Sequence, residues 1–243
     1  MLKNSKDFSI NSAAGIFFVF LGILFVGWVG NGPSNQELLS TYAKSKDLWD
    51  LMVANKGFGW WTTNYLGGAP TAPLAGTGLT MFWLVLGGAF TDPILGGKVL
   101  GFLSLALSGV LMAAFVRRLT GDQRAGWIAA FLYSLGPQAA LRLAGNEHMP
   151  VVFCMPYPPL IGWALLDIAT RNSGRGTVIL SLAVAAMSLT FNKITAVFAP
   201  VALGLAIWLH FRYPHKSMPL LRGCLIAADR KSTRLNSSHS DRS

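Results

Sequence analysis

LAGTGLTMFWLVLGGAF, residues 74–90, is the stretch that decides how this chain is arranged in a membrane. It has 17 residues, which is the lower limit of the roughly 17–25 apolar residues that a bilayer-spanning helix needs. It also contains four glycines, and glycine weakens a helix. Whether residues 74–90 cross the membrane determines the side on which every later segment lies.

The basic residues that follow this stretch favour an arrangement in which it does not cross. If it crossed, the later basic clusters would all lie outside, against the bias of Lys and Arg towards the cytoplasmic side. If it lies on the outer surface or re-enters, eight basic residues join Lys3 and Lys6 on the cytoplasmic side. We therefore predict that it is not a span. The eight residues are Arg117, Arg118, Arg124, Arg171, Arg175, Arg212, Lys216 and Arg222.

The composition of the whole chain is that of an integral membrane protein. Of 243 residues, 52% are hydrophobic and only 12% are charged, whereas soluble domains carry about 25% charged residues. The net charge of +10 is divided among short clusters between apolar runs, as in cytoplasmic loops and unlike a nucleic-acid-binding patch. Cys154 and Cys224 lie in separate apolar segments, which argues against a disulfide framework or a thiolate metal site. Membrane lipids are expected partners and nucleic acid is not.

We predict an all-α, polytopic membrane helix bundle with about six spans and an interfacial helix on its outer surface. The N-terminus is expected to be cytoplasmic, because Lys3 and Lys6 precede the first apolar run. Loops 31–94 and 142–150 are then outside. The predicted spans are residues 13–30, 95–116, 125–141, 151–168, 177–191 and 194–211.

Several residues within these spans carry structural expectations. Three prolines within residues 156–159 should kink the fourth span or unwind its outer half. Lys98 is expected to extend its ammonium group towards the membrane surface. Asp167 can pair with Arg171 one helical turn later. The last two spans should turn back on each other at Asn192 and the lysine after it.

Residues 229–243 do not continue the hydrophobic pattern. The stretch DRKSTRLNSSH, residues 229–239, resembles the in-frame translation of a sequencing-adapter oligonucleotide. We therefore take residues 1–228 as one transmembrane domain and expect the natural gene to continue differently, which would make this sequence an N-terminal fragment. The alternative is a natural, disordered Ser/Arg-rich tail.

Acidic residues are scarce, and two of them stand close together in the first outer loop. Asp47 and Asp50 are three residues apart, so they share one face if this stretch is helical. They then belong either to a solvated amphipathic helix or to a metal or acid–base site at the membrane surface. Carboxylate oxygens are the ligands that hard cations such as Mg²⁺ and Mn²⁺ prefer.

The second outer loop carries Glu147 followed by His148. Glu147 either caps the helix that starts near residue 150, where the helix dipole favours an acid, or approaches Asp47 across the outer surface. In the second case Arg142 is close enough in sequence to bind a phosphate group. Trp60 and the tryptophan after it form either an interfacial aromatic belt or a surface on which a sugar ring packs.

The order of these features resembles the N-terminal half of the GT-C membrane glycosyltransferases, which include oligosaccharyltransferase-like and YfhO-type proteins of bacteria and archaea. A first span from the cytoplasmic side leads to a long outer loop with acids. A span ending in AFVRRLTGDQRAG, residues 114–126, and an outer acid in LAGNEHMP, residues 143–150, come later. The resemblance covers residues 10–215 and implies a GT-C-like fold in a prokaryotic plasma membrane.

The resemblance also implies an activity and a set of site residues. Members transfer a sugar from a polyprenyl phosphate or pyrophosphate donor on the non-cytoplasmic side. By position, Asp47 corresponds to the first-loop acid, which serves as base or metal ligand, and Glu147 to the second-loop acid. The pair Asp47 and Asp50 departs from the usual D-x-D or E-x-D, because its spacing is D-x-x-D. Expected catalytic residues are Asp47 and Glu147, which are also the expected Mg²⁺ or Mn²⁺ ligands. Expected substrate contacts are Asp50, Arg142, His148, Trp60 and Trp61.

Two other functions fit the same sequence. The chain could be a non-catalytic membrane subunit that keeps a GT-C-like fold, or a transporter of lipids or sugars. A transporter needs a polar path through its spans, and the predicted spans contain few charges. Whether the chain is itself an enzyme therefore stays open at this point.

Overall fold

The computed structural model describes residues 5–29, 46–55, 61–62, 69–70, 86–136, 149–190 and 192–213. Over these residues the chain is helical apart from one short antiparallel ladder, β1 (Trp61–Thr62) with β2 (Ala69–Pro70). The all-α prediction is confirmed at this level. The helices are α1 (Ser5–Val29), α2 (residues 46–54), α3 (Pro93–Thr120), α4 (Gln123–Ser134), α5 (Met149–Cys154), α6 (Tyr157–Arg171), α7 (Gly174–Thr190) and α8 (Asn192–Arg212).

Three helical stretches are long and apolar enough to cross a membrane: Ile94–Thr120, Met149–Arg171 and Ile194–Arg212. They correspond to the predicted second, fourth and sixth spans, which are confirmed as apolar helices of spanning length. The described apolar parts of the predicted first and fifth spans, Ala13–Gly27 and Gly174–Thr190, are shorter. The predicted third span begins as α4, which ends after 12 residues. The number six therefore stays a prediction.

Helices α1 and α3 run in opposite directions. The ring of Phe17 lies against Gly109, where an added Cβ would overlap it, and the ring centroid of Phe25 lies 4.5 Å from that of Phe102. Residue numbers thus rise along α1 as they fall along α3. The chain between the two helices makes no net passage across the bundle, as the arrangement with a non-spanning segment at 74–90 requires. Residues 71–85 themselves lie outside the described part.

A tight turn joins α3 to α4 and makes them an antiparallel pair. Gly121 adopts φ 76°, and its N–H donates to the carbonyl of Arg117. This left-handed conformation ends α3 and suits glycine. Asp122 then begins α4, because its Oδ1 accepts from the Arg124 N–H at 2.8 Å. Farther along the pair, the buried hydroxyls of Ser108 and Ser134 are 2.9 Å apart.

Helix α6 runs parallel to α3, and α7 returns antiparallel to α6. Ser104 contacts Val152 in α5, whereas Arg118, near the end of α3, contacts Asp167, near the end of α6. The left-handed Asn172, at φ 51°, ends α6. Helix α8 starts at Asn192, two residues after α7 ends, and runs back again, so the predicted turn residues Asn192 and Lys193 already belong to α8.

This arrangement places the described arginines at one end of the bundle, here called the arginine end. The opposite end is called the loop end, because α1 finishes there and α3 starts there; α4 runs towards it and α5 runs away from it. Buried apolar residues fill two clusters between the helices, one among α1, α3, α4 and α5 and the other mainly among α6, α7 and α8. The described residues at the arginine end are Arg117, Arg118, Arg124, Arg171, Arg175 and Arg212.

Candidate functional site

Helix α2 carries the two acids of the first predicted outer loop. Because residues 46–54 are helical, the predicted shared face of Asp47 and Asp50 is confirmed. Leu48 is only 5% exposed, so the helix is anchored through an apolar side chain. Asp50 accepts a hydrogen bond from Lys46 Nζ at 2.7 Å, and both side chains are exposed. Such a surface pair stabilises a helix by about 0.3–0.5 kcal/mol. Asp47 is more buried than Asp50.

The rest of the predicted site lies mainly outside the described residues. This holds for Trp60, Arg142, Glu147 and His148, and for the side chain of Trp61, whose backbone forms β1. The approach of Glu147 to Asp47, and a Mg²⁺ or Mn²⁺ ion between them, therefore stay predictions. Within the described residues there is no group of three or more His, Cys, Asp or Glu side chains that could hold a metal ion.

The described helices do fix where the two acid-bearing connections attach. Helix α1 ends and α3 begins at the loop end, on either side of the connection that contains α2. Helix α4 runs towards the same end, with its last residue, Ser134, level with Ser108 in the middle of α3, and α5 runs away from that end after the connection that contains Glu147. Each connection therefore follows a helix that runs towards the loop end and precedes one that runs back from it, opposite the described arginines.

The fourth predicted span is broken where the sequence predicts a kink. Helix α5 ends at Cys154 and α6 begins at Tyr157. Pro156 and Pro159 have no N–H, so they cannot donate to the carbonyls four residues earlier, those of Val152 and Met155. Unpaired backbone carbonyls are costly inside a membrane, and replacement donors are needed.

Two side chains from neighbouring helices supply those donors. Ser104 Oγ on α3 donates to the Val152 carbonyl at 2.8 Å. The Tyr133 hydroxyl on α4 donates to the Met155 carbonyl at 2.9 Å. The sequence indicates the break through its prolines but does not indicate these partners, which are 48 and 22 residues away along the chain.

The expectation that Lys98 extends towards the membrane surface is wrong. Its side chain is 1% exposed, because it lies on the same stripe of α3 as Phe102 and Gly109, which pack against α1. One turn beyond the Phe25–Phe102 contact, the antiparallel α1 is close to its end at Val29. The last carbonyls of a helix lack N–H partners and carry a partial negative charge. The position therefore suits a buried ammonium group.

Asp167 pairs with Arg118 rather than in the predicted pair with Arg171. Its side chain is 5% exposed, and the Arg118 guanidinium also lies 4.8 Å from the ring centroid of Trp163. Helix α7 passes close by, because a Cβ added at Gly176 would lie 3.2 Å from Asp167 Oδ2. The correction follows from packing, since α3 runs beside α6 and brings Arg118 to the same level. Arg118, Asp167 and Trp163 thus bring α3 and α6 into contact at the arginine end, with α7 packed against Asp167.

Two grooves lie between described helices. One, of about 240 Å³, is bounded by α6, α7 and α8 and has Thr195 as its one polar lining residue. The other, of about 220 Å³, lies between α3 and α4 and is lined by Val110, Ala113, Ala114, Arg117, Gln123 and Trp127.

Comparison with protein families, with curated proteins and with solved structures finds no match to this chain. The function must therefore be argued from the residues and the geometry of this chain alone.

Proposed function

We propose that this chain is a membrane glycosyltransferase of the GT-C type, which takes a sugar from a polyprenyl phosphate or pyrophosphate donor at the loop end. One observation carries the proposal: each connection that bears a scarce outer acid lies between a helix that runs towards the loop end and a helix that runs back from it. The described arginines gather at the other end, and the bias of basic residues makes that end cytoplasmic. The loop end is then the non-cytoplasmic side, where such transfer takes place.

The proposal includes the finer architecture that the sequence predicts. The chain has six spans, with residues 125–141 as the third, and a cytoplasmic N-terminus in a prokaryotic plasma membrane. Helix α2 lies at the outer interface, anchored through Leu48.

The proposed chemistry assigns roles to the carboxylates. Transfer of a sugar to a hydroxyl acceptor needs a base that takes the hydroxyl proton. It also needs positive charge that stabilises the departing phosphate. Asp47 is the proposed base or metal ligand and Glu147 its partner. Arg142 and, where bound, Mg²⁺ or Mn²⁺ would face the phosphate.

The described interior gives little support to the transporter alternative. Its buried polar side chains are few, and most are hydrogen-bonded to neighbouring helices rather than aligned along a path. Ser104 bonds to α5, Ser108 and Ser134 bond to each other, and Asp167 bonds to Arg118. A transport path needs polar groups that can exchange partners with a substrate.

The test is sugar transfer by the product of the complete gene, because a fragment of an enzyme is expected to be inactive alone. The protein is placed in proteoliposomes supplied with polyprenyl-linked sugars and either Mg²⁺ or Mn²⁺. We expect Asp47→Asn and Glu147→Gln each to lower the rate about 100-fold or more, as loss of a general base does. Asn55→Ala is the matched control directly after α2, because that amide donates to the nearby Leu51 carbonyl, at 2.9 Å. Equal rates in all variants, or no transfer by the unmodified chain, would favour the non-catalytic subunit instead.

A further inference from the structure

The groove between α3 and α4 changes character along its length. Val110 lies towards the middle of the bundle, and Arg117 and Gln123 lie beside the turn at the arginine end. Seven residues of α-helix separate Val110 from Arg117, a distance of about 10 Å along the axis. The groove is therefore apolar at the depth of a lipid chain and cationic at the depth of a lipid headgroup.

Arg117 and its neighbour Arg118 have different surroundings. Arg118 is engaged with Asp167 on the α6 side. Arg117, about 100° away around the helix, is exposed and lines the groove. In the part of the chain that the structure describes, Arg117 forms no ion pair. A guanidinium group can bind two oxygens of one phosphate at the same time.

The walls of this groove are held in place by other contacts. A Cβ added at Gly126 would lie 2.7 Å from the Ala113 carbonyl, so α3 and α4 approach closely there. The ring centroid of Trp127 lies 5.7 Å from that of Phe17 and 6.4 Å from that of Phe18, both on α1. The groove is thus formed before any ligand enters, which lowers the entropic cost of binding.

We propose that this groove binds an anionic glycerophospholipid of the surrounding membrane. The phosphate contacts Arg117 and Gln123, and the first carbons of one acyl chain lie along Val110 and Ala114. Charge complementarity selects a negative headgroup over a zwitterionic one, and the apolar inner part selects a lipid over a free anion. The inference does not depend on the proposed enzymatic function.

Native mass spectrometry of the delipidated full chain tests this proposal with phosphatidylglycerol, phosphatidylcholine and inorganic phosphate as separate probes. We expect tighter binding of phosphatidylglycerol than of phosphatidylcholine. Arg117→Gln should weaken phosphatidylglycerol binding by about tenfold to a hundredfold, the usual effect of losing hydrogen bonds to a charged group. Arg175→Gln is the matched control, because it removes an exposed arginine at the same end but outside the groove, and it should change little.

A second variant keeps the charge and fills the groove. Ala114→Phe should weaken the binding of both lipids while the protein stays folded by circular dichroism. Equal losses in Arg117→Gln and Arg175→Gln would overturn the proposal, because the attraction would then be a diffuse property of the arginine end. Displacement of phosphatidylglycerol by equimolar inorganic phosphate would also overturn it, since the ligand would then be a free anion.

Discussion

Replacing Tyr133 by phenylalanine removes one hydroxyl and keeps the ring, so it isolates the hydrogen bond that closes the break between α5 and α6. The Met155 carbonyl would lose the donor that stands in for the missing N–H of Pro159. A buried acceptor left without a partner costs about 1–3 kcal/mol. We expect Tyr133→Phe to lower the free energy of unfolding by that amount.

Ser104→Ala should have a smaller effect at the other carbonyl. Val152 also accepts from the Met155 N–H at 3.2 Å, so its oxygen keeps one donor when the serine is removed. We expect a loss near the lower end of the same range, about 1 kcal/mol. The order of the two effects is a stricter check than either value alone.

A double-mutant cycle makes the reasoning specific. Pro159→Ala restores an N–H four residues after Met155, so Tyr133→Phe should cost less in that background than in the unmodified chain. Unfolding in mixed micelles supplies the free energies. The thiol of Cys154, which is 1% exposed in α5, supplies a local reading. With Cys224 replaced by serine, Cys154 should react faster with maleimide in Tyr133→Phe than in the unmodified chain, because the break between α5 and α6 opens more often.

Ser108→Ala is the control for locality. It removes a buried hydroxyl from the same helix as Ser104 but breaks a contact with Ser134 instead of one with α5. It should lower stability without changing the labelling of Cys154. If Tyr133→Phe leaves both stability and labelling unchanged, or costs equally with and without Pro159, the hydroxyl does not replace a backbone donor and the reasoning fails.

Three further changes test other parts of the structure. Asp167→Ala leaves the Arg118 guanidinium without its carboxylate and should lower the free energy of unfolding by about 3 kcal/mol. Replacing both residues by leucine should recover much of that loss, and no recovery would contradict a paired role. Gly109→Ala should lower the free energy of unfolding by about 1–3 kcal/mol, because the added methyl group overpacks against α1. An unchanged free energy of unfolding would mean that α1 does not pack there. Single cysteines at Thr120 and Asn55, in a cysteine-free background, should label from the cytoplasmic and the outer face respectively; labelling of both from one face would refute the proposed topology.

The sequence predicts the long apolar helices well wherever an apolar run is long enough to span a bilayer. The apolar runs behind α3, α6 and α8 are long, and their length follows from bilayer thickness. The one-sided placement of arginines predicts an antiparallel α1 and α3 because charge bias constrains direction without any knowledge of packing. The prolines predict the break at residue 156 for a similar reason, since a missing N–H acts locally.

Packing partners cannot be predicted in the same way. Arg118 and Asp167 are 49 residues apart, and only the parallel course of α3 and α6 brings them together. The burial of Lys98 depends on which side of α3 meets α1. At the candidate site, the shared face of Asp47 and Asp50 follows from their spacing once residues 46–54 are helical. The distance from Asp47 to Glu147 instead depends on how two long connections fold.

The two hydrogen bonds that Ser104 and Tyr133 donate at the break between α5 and α6 have a consequence for biogenesis. In lipid, each unpaired backbone carbonyl costs several kcal/mol, so this segment is poorly suited to leave the translocon alone. Its Met155 carbonyl finds its side-chain donor on α4 and its Val152 carbonyl a second donor on α3, and both helices are synthesised earlier. The nascent chain therefore has a preferred order of assembly, in which the α3–α4 pair is already inserted and receives the broken helix as it enters the bilayer.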